Sequence, residues 1–465
     1  MLLHPRPHNH ALVATLQLTT VLSLVATFLT VAVPSARAAS VTRVAGESRI
    51  ATSVEVAQAG WSTSDHVLIA TARDFPDAVA AAALAATEAA PLLLTEPDRL
   101  PAEVHDAIDS LQATTVTILG GDGSVSAAVE EELRAKGLTV GRVAGDDRFA
   151  TAAEIADAVV TGRDTPVVAL ALGLRKDGAD AWPDALAAAS LAGLDAPVPT
   201  LLTNQAALPD ATTAALKRLA PQRVIVLGGT GSISDNVIDQ IESFDMTATR
   251  VDGVTRFDTA VEVAQTAMGG VRDDTIDATE AVFVSGEDFP DALAAGALAA
   301  RRSAPLLLVP QDVLSDTVDA WIRGNETAFG AGTVIGGETA VDDFVEEELD
   351  AALNGDPRPE RVAAAGDTQE ACAPNSSPDC AYTYEHPIET WDRLAKCESG
   401  GNWAINTGNG YYGGVQFSLS SWRLVGGQGY PHQNSKWEQI HRAELLHDRQ
   451  GWGAWPSCSR QLGLR

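Results

Sequence analysis

Short apolar runs alternate with longer alanine-rich or amphipathic stretches over most of this chain, and the alternation predicts its architecture. Residues 67–71, 91–95 and 116–119 are apolar runs of strand length, the pattern of strands buried on both faces of a parallel sheet. Between them, residues 77–90 and 102–111 carry apolar positions at helical spacing. Strands alternating with helices predict an α/β layer structure in which helices cover a parallel sheet.

The pattern recurs. Arg43, Gly46 and Arg49 return as Arg142, Gly145 and Arg148 and as Arg250, Gly253 and Arg256, followed by Thr52, Thr151 and Thr259. The run Phe75-Pro76-Asp77-Ala78 returns as Trp182-Pro183-Asp184-Ala185 and Phe289-Pro290-Asp291-Ala292. Apolar strands ending in Gly120-Gly121, Gly228-Gly229 and Gly336-Gly337 complete each copy. Self-similarity at a fixed period is the mark of a repeat architecture, and it defines three tandem copies over residues 41–141, 142–249 and 250–353. Whether they pack about a pseudo-threefold axis is left open by the pattern.

Outside the repeats the pattern changes. Residues 11–33 are mostly apolar and free of charge, and Ala36-x-Ala38 follows, so residues 1–38 read as a secretory signal peptide cut after Ala38. Residues 354–387 carry Pro357, Pro359, Pro374 and Pro378 with little periodicity, which predicts an extended or flexible linker. From residue 388 amphipathic helical patterning returns, including a helix over about 435–449. The fold class is therefore multidomain, with three tandem α/β repeats built on parallel sheets and a separate C-terminal domain.

Charge and cysteine content sharpen this picture. The net charge is −30, and residues 382–465 carry eight Lys or Arg against seven Asp or Glu, so the excess lies in the first 381 residues. An acidic front of this kind argues against nucleic acid or an anionic membrane as a partner. All four cysteines, Cys372, Cys380, Cys397 and Cys458, lie in the last quarter of the chain. In an exported chain they predict local disulfides. No Cys-x-x-Cys or Cys/His spacing suggests a metal, and no motif asks for a cofactor.

The chemistry concentrates near residue 398. Glu398 ends an amphipathic run that stops at Gly400-Gly401, and no Asp or Glu occurs over residues 399–437. Asn402, Trp403, Thr407, Tyr411, Gln416 and Trp422 crowd the same segment. Amides and flat aromatic faces suit a sugar-binding cleft. A carboxyl opposed by a helix dipole and packed beside an aromatic ring has a raised pKa, as a general acid requires.

These residues carry a resemblance. Residues 391–464 resemble the catalytic domain of the resuscitation-promoting factors and related transglycosylase-like proteins, through Cys-Glu-Ser-Gly-Gly-Asn-Trp at 397–403, the Asn406 to Phe417 run and Gln450-Gly-Trp-Gly-Ala-Trp-Pro456. The resemblance implies a small, mainly α lysozyme-like domain over 388–465 that cleaves the β-1,4 bond between N-acetylmuramic acid and N-acetylglucosamine in peptidoglycan glycan strands. It places Glu398 on the catalytic acid and residues 414–417 on a second cleft motif. It also favours a Cys397–Cys458 disulfide, which leaves Cys372 to pair with Cys380. Other wall hydrolases are further candidate partners.

Residues 41–353 resemble the cell wall-binding repeats of type two, which implies noncovalent attachment to an anionic wall polymer. Arg43, Arg49, Arg142, Arg148, Arg250 and Arg256 are candidates to grip its phosphates or carboxylates. The other role open to them is structural, pairing with Asp77, Asp184 or Asp291. The Gly-Gly turns near Ser124, Ser232 and Thr339 have two readings as well, an anion-binding helix N-terminus or a tight turn.

The expectation is a secreted, wall-attached, peptidoglycan-cleaving enzyme acting through Glu398. The alternative is a glycan-binding, signalling or surface-layer protein with little turnover, which would need no lone acid in an amide-rich surround.

Overall fold

The computed structural model describes residues 39–73, 78–162, 166–174, 183–271, 275–287, 289–359, 382, 384–406 and 410–464. The expected leader at 1–38, Phe75 to Asp77, Trp182, Thr407, the expected Cys372–Cys380 pair and residues 360–381 lie outside them.

Among the described residues the repeats supply twelve strands: β1 (Ser40–Val44), β2 (His66–Thr71), β3 (Leu92–Thr95), β4 (Thr115–Leu119), β5 (Thr139–Val143), β6 (Val167–Leu174), β7 (Thr200–Asn204), β8 (Arg223–Leu227), β9 (Thr247–Val251), β10 (Glu280–Ser285), β11 (Leu306–Val309) and β12 (Ala331–Ile335). The expected runs at 67–71, 91–95 and 116–119 are strands β2, β3 and β4. Leu68, Ile69, Leu93 and Leu94 are fully buried, as strands covered on both faces should be. Helix Ala102–Ser110 matches the expected 102–111, whereas the 77–90 stretch yields the shorter helix Ala82–Glu88.

Three four-stranded sheets form, with orders β3-β2-β4-β5, β7-β6-β8-β9 and β1-β12-β10-β11. Every pairing in them is parallel. Each copy lends its first strand to a neighbour: β5 of the second copy completes the first sheet, and β9 of the third completes the second. The ring closes when β1 pairs with β12, Ser40 opposite Ala331. Copy boundaries at 141/142 and 249/250 therefore cut through β5 and β9, which are the staples between units.

The repeated motif builds these seams. Gly46, Gly145 and Gly253 each donate a backbone N–H to Thr52, Thr151 or Thr259 at 3.1 Å. At Gly46 a Cβ would lie 2.4 Å from the backbone of Ala51, so only glycine fits. The helices that follow, Arg49–Gly60, Arg148–Val160 and Arg256–Gly269, are capped by Ser48, Asp147 and Thr255, which satisfy free N–H groups of the first turn.

At the centre of the ring, Ala82, Ala189 and Gly296 occupy equivalent positions of the three alanine-rich segments. A Cβ on Gly296 would sit 3.3 Å from the Cβ of Ala189 and 3.4 Å from that of Ala82. The axis is filled to contact. Gly296→Leu is expected to destabilise the ring by about 1–3 kcal/mol through overpacking, read as a lowered midpoint in thermal unfolding. Gly231→Leu, where an added Cβ meets nothing within 4 Å, should leave the midpoint in place.

The C-terminal domain is built on helices Ile388–Ser399, Leu419–Leu424, Lys436–Gln450 and Cys458–Gln461, with an antiparallel pair of short strands, Tyr411–Tyr412 and Phe417–Ser418. Trp391, Trp422 and Phe417 fill its core.

Candidate functional site

Helix Ile388–Ser399 ends where the sequence expects, on Gly400 in the left-handed region at φ 70°. Glu398 is its penultimate residue and is half-buried. Burial pushes its pKa above the usual carboxylate value, and no neighbouring charge adds to the shift. Removal from water disfavours the anion. A disulfide between Cys397 and Cys458, with Cα atoms 5.7 Å apart, fastens the acid-bearing end of this helix to the C-terminal turn.

The hairpin segment facing into this domain is held by packing that glycine alone allows. Gly414 lies beneath the Trp403 ring, where a Cβ would come within 2.3 Å of it. Gly413 takes φ 75°. Gln416, a non-glycine residue at φ 55°, donates from Nε2 to the Gly413 carbonyl at 2.9 Å. Held strain of this kind tends to occur at functional sites. Tyr411 is half exposed on the hairpin, and Asn402 is exposed, its Oδ1 accepting from the Ala404 N–H at 3.0 Å.

Trp422 requires a correction. It is fully buried and donates Nε1–H to the Gln428 carbonyl at 3.1 Å, so it is a core residue and offers no face to a glycan. Aromatic content alone does not separate a cleft ring from a core ring.

Sequence reasoning missed Gln439. Fully buried, it accepts from Gly414 N–H at 2.9 Å and donates to the carbonyls of Trp403 and Asn434, both at 2.9 Å. One side chain thus ties the Trp403 turn to the Gly414 hairpin. Gln439→Leu strands a buried N–H and is expected to cost about 1–3 kcal/mol, checked by thermal unfolding. Any turnover should fall with it as Trp403 and Gln416 lose register.

Glu444 also departs from expectation. A Glu on an amphipathic helix is ordinarily solvated, but this one is buried, accepting from Trp391 Nε1–H at 2.9 Å and the His386 N–H at 2.8 Å. Asp392 pairs with Lys436 at 2.7 Å and Glu438 with Arg442 at 2.6 Å. Asp392, Glu438 and Glu444 are therefore engaged in pairs of their own.

On the ring, the first arginine of each pair has a structural task. Arg43 donates to the carbonyls of Gly336 and Val341 at 2.9 and 2.8 Å, Arg142 to Gly120 and Val125 at 2.7 and 2.9 Å, and Arg250 to Gly228 at 2.7 Å. Each clamps the Gly-Gly turn of the neighbouring copy. Their acidic partners include Asp343, Glu130 and Asp235. The hydrogen bond from Arg142 draws the Glu130 pKa down. Arg43, Arg142 and Arg250, candidates to grip a wall polymer, are instead committed to these turns.

The second arginines bond a carbonyl at the end of their own copy's central strand: Arg49 to Ala72, Arg148 to Gly173 and Arg256 to Gly286. Arg49 and Arg256 also line clefts at the seams, of about 320 Å³ and 160 Å³. The Gly-Gly pairs are tight turns with Gly120, Gly228 and Gly336 at φ 97°, 101° and 111°. A further turn separates each from the next helix, so they do not form a helix N-terminus.

With this geometry in view, comparison with known proteins assigns both parts. The family described as Cell wall binding domain 2 (CWB2) matches residues 43–130, 142–238 and 250–346, more than half of the chain. The chain belongs to that family. Its C-terminal residues 386–458 match the family described as Transglycosylase-like domain.

Resuscitation-promoting factor Rpf of Micrococcus luteus is 74% identical over 77 residues, covering 17% of this chain and 34% of that protein. N-acetylmuramoyl-L-alanine amidase LytC of Bacillus subtilis (strain 168) is 32% identical over 277 residues, covering 59% of this chain and 51% of its own length. Among solved structures, Cwp6 from Clostridium difficile superposes with a TM-score of 0.60 at 27% identity, over 69% of this chain and 49% of that one. The chain thus spans between a third and about half of the length of these relatives.

Proposed function

We propose that this protein is a wall-attached, peptidoglycan-cleaving enzyme, a lytic transglycosylase or muramidase that uses Glu398 as its acid and base. The observation that carries the reading is a desolvated carboxyl with a raised pKa at the end of helix Ile388–Ser399, in a domain 74% identical to a resuscitation-promoting factor. In the reaction, Glu398 gives its proton to the glycosidic oxygen as the C1–O bond breaks. The resulting carboxylate then takes a proton from the muramoyl 6-hydroxyl, closing a 1,6-anhydro ring, or from water, giving hydrolysis. The engagement of Asp392, Glu438 and Glu444 favours this single-acid route over the two-carboxylate scheme of most glycosidases.

Trp403, Tyr411, Asn402, Gln416 and Thr407 bind the sugar chain in this reading, with Trp403 and Tyr411 offering the aromatic faces. The ring attaches the enzyme to an anionic wall polymer at the seams, whose clefts Arg49 and Arg256 line, with Arg148 at the corresponding place in the second copy. Attachment raises the concentration of the catalytic domain at its substrate.

Mass spectrometry of muropeptides released from purified peptidoglycan tests the assignment. Anhydromuramoyl products identify transglycosylation, and reducing muramic ends identify a muramidase. Intact walls with the protein still bound would refute the enzyme and leave the binding protein.

A further inference from the structure

The C-terminal domain touches the ring at one place in particular. Arg423, on helix Leu419–Leu424, forms an ion pair with Glu287 of the third copy. Beside it, the Gly429 N–H donates to the Asp312 carboxylate. These contacts are well shielded: Asp312 is 8% exposed, and the side chains of Glu287 and Arg423 are 18% and 30% exposed. The Arg423 side chain lines the cleft between the first and third copies, together with Gly46, Arg49, Asp291 and Thr339. The related cleft between the second and third copies is lined by ring residues alone.

Internal symmetry supplies a control. Aligned on the Pro-Asp-Ala motif, the position of Glu287 is Arg73 in the first copy and Asp180 in the second. Aligned on the strand that follows, the position of Asp312 is Asp98 in the first copy and Ala206 in the second. Only the third copy carries both acids. In the first copy an arginine would face Arg423, and Arg73 there is already paired with Glu96 at 2.9 Å. Like charges brought together across a contact oppose binding and so select the partner.

We propose that Arg423 and the Gly429–Tyr430 turn form a docking surface dedicated to the third copy, seating the catalytic domain on one seam of the ring with Arg423 as the plug. The docked face connects to the cleft, because the Tyr430 ring packs edge-on against Tyr412 at 5.0 Å, on the hairpin that carries Gln416. Docking thereby fixes the orientation in which the hairpin leaves the ring. An anion entering that seam must displace Arg423, a consequence that rests on reading the seams as polymer sites.

Hydrogen–deuterium exchange on the full mature chain tests the dock and needs no turnover, so its outcome is separate from the role of Glu398. The probe is the amide of Gly429, followed in peptides covering 426–430. Arg423→Glu, and Asp312→Ala on the ring side, are each expected to speed its exchange by about tenfold or more, with protection of helix Lys436–Gln450 unchanged. The double variant Arg423→Glu/Glu287→Arg should restore protection. Equal exchange at 426–430 in wild type and both single variants would overturn the dock, as would a double variant no better protected than Arg423→Glu.

Discussion

Glu398→Gln is expected to lower glycan cleavage by about 100-fold or more, the scale of a lost general acid, while unfolding at neutral pH no earlier than wild type. Both effects come from the same burial. The folded pKa of Glu398 is raised above its ordinary value of 4.5, so the native state holds this proton where the unfolded chain has released it. Its favourable contribution is intact below the unfolded pKa and is lost as pH rises through the folded value. Above that, wild type carries the cost of a buried anion, and glutamine does not. Calorimetry across pH should show the variant at or above wild type near pH 7, with the gap closing below about pH 4. Activity should fall as pH rises through the folded pKa, because the acid form is spent. A variant clearly less stable at neutral pH would mean that the carboxylate is held by partners and is no desolvated acid.

Reduction of the Cys397–Cys458 disulfide is the second large effect. The bridge closes a loop between residues separated by 61 positions, which in the chain-entropy account contributes about 4 kcal/mol. A domain of this size has a small core and stability of a similar order. Reductant, or Cys397→Ser with Cys458→Ser, should abolish or sharply lower the unfolding transition of the C-terminal domain. The ring, whose described residues contain no cysteine, should unfold as before. Cleavage should disappear with the domain, because the helix end bearing Glu398 loses its fastening. An unmoved C-terminal transition would show that the helical core suffices.

Local pattern revealed much of this molecule. Buried strands such as β2 and β3 announce themselves as apolar runs, and the stop at Gly400 follows from one residue's freedom to take a positive φ. Glu398 stands out because the following stretch holds no other acid. The seams were harder to see. Strands β1, β5 and β9 are short and half exposed, and β1 finds β12 almost three hundred positions away, a pairing no local period encodes. Without that pairing, Arg43 looks like a surface cation when it is a clamp on the Gly336 turn. Glu444 shares a helix face with Ile440 at i, i+4 spacing, and that spacing was the available hint of burial. Gln439 gave no such sign. Its value lies in three backbone groups, two of them brought to it from other segments.

The most direct test of the central claim is muropeptide release from one peptidoglycan preparation by wild type and Glu398→Gln, at equal amounts of wall-bound protein. The account predicts steady release by wild type and, at equal binding, almost none by the variant. Release at the wild-type rate by Glu398→Gln would contradict it, since some other group would then be supplying the proton.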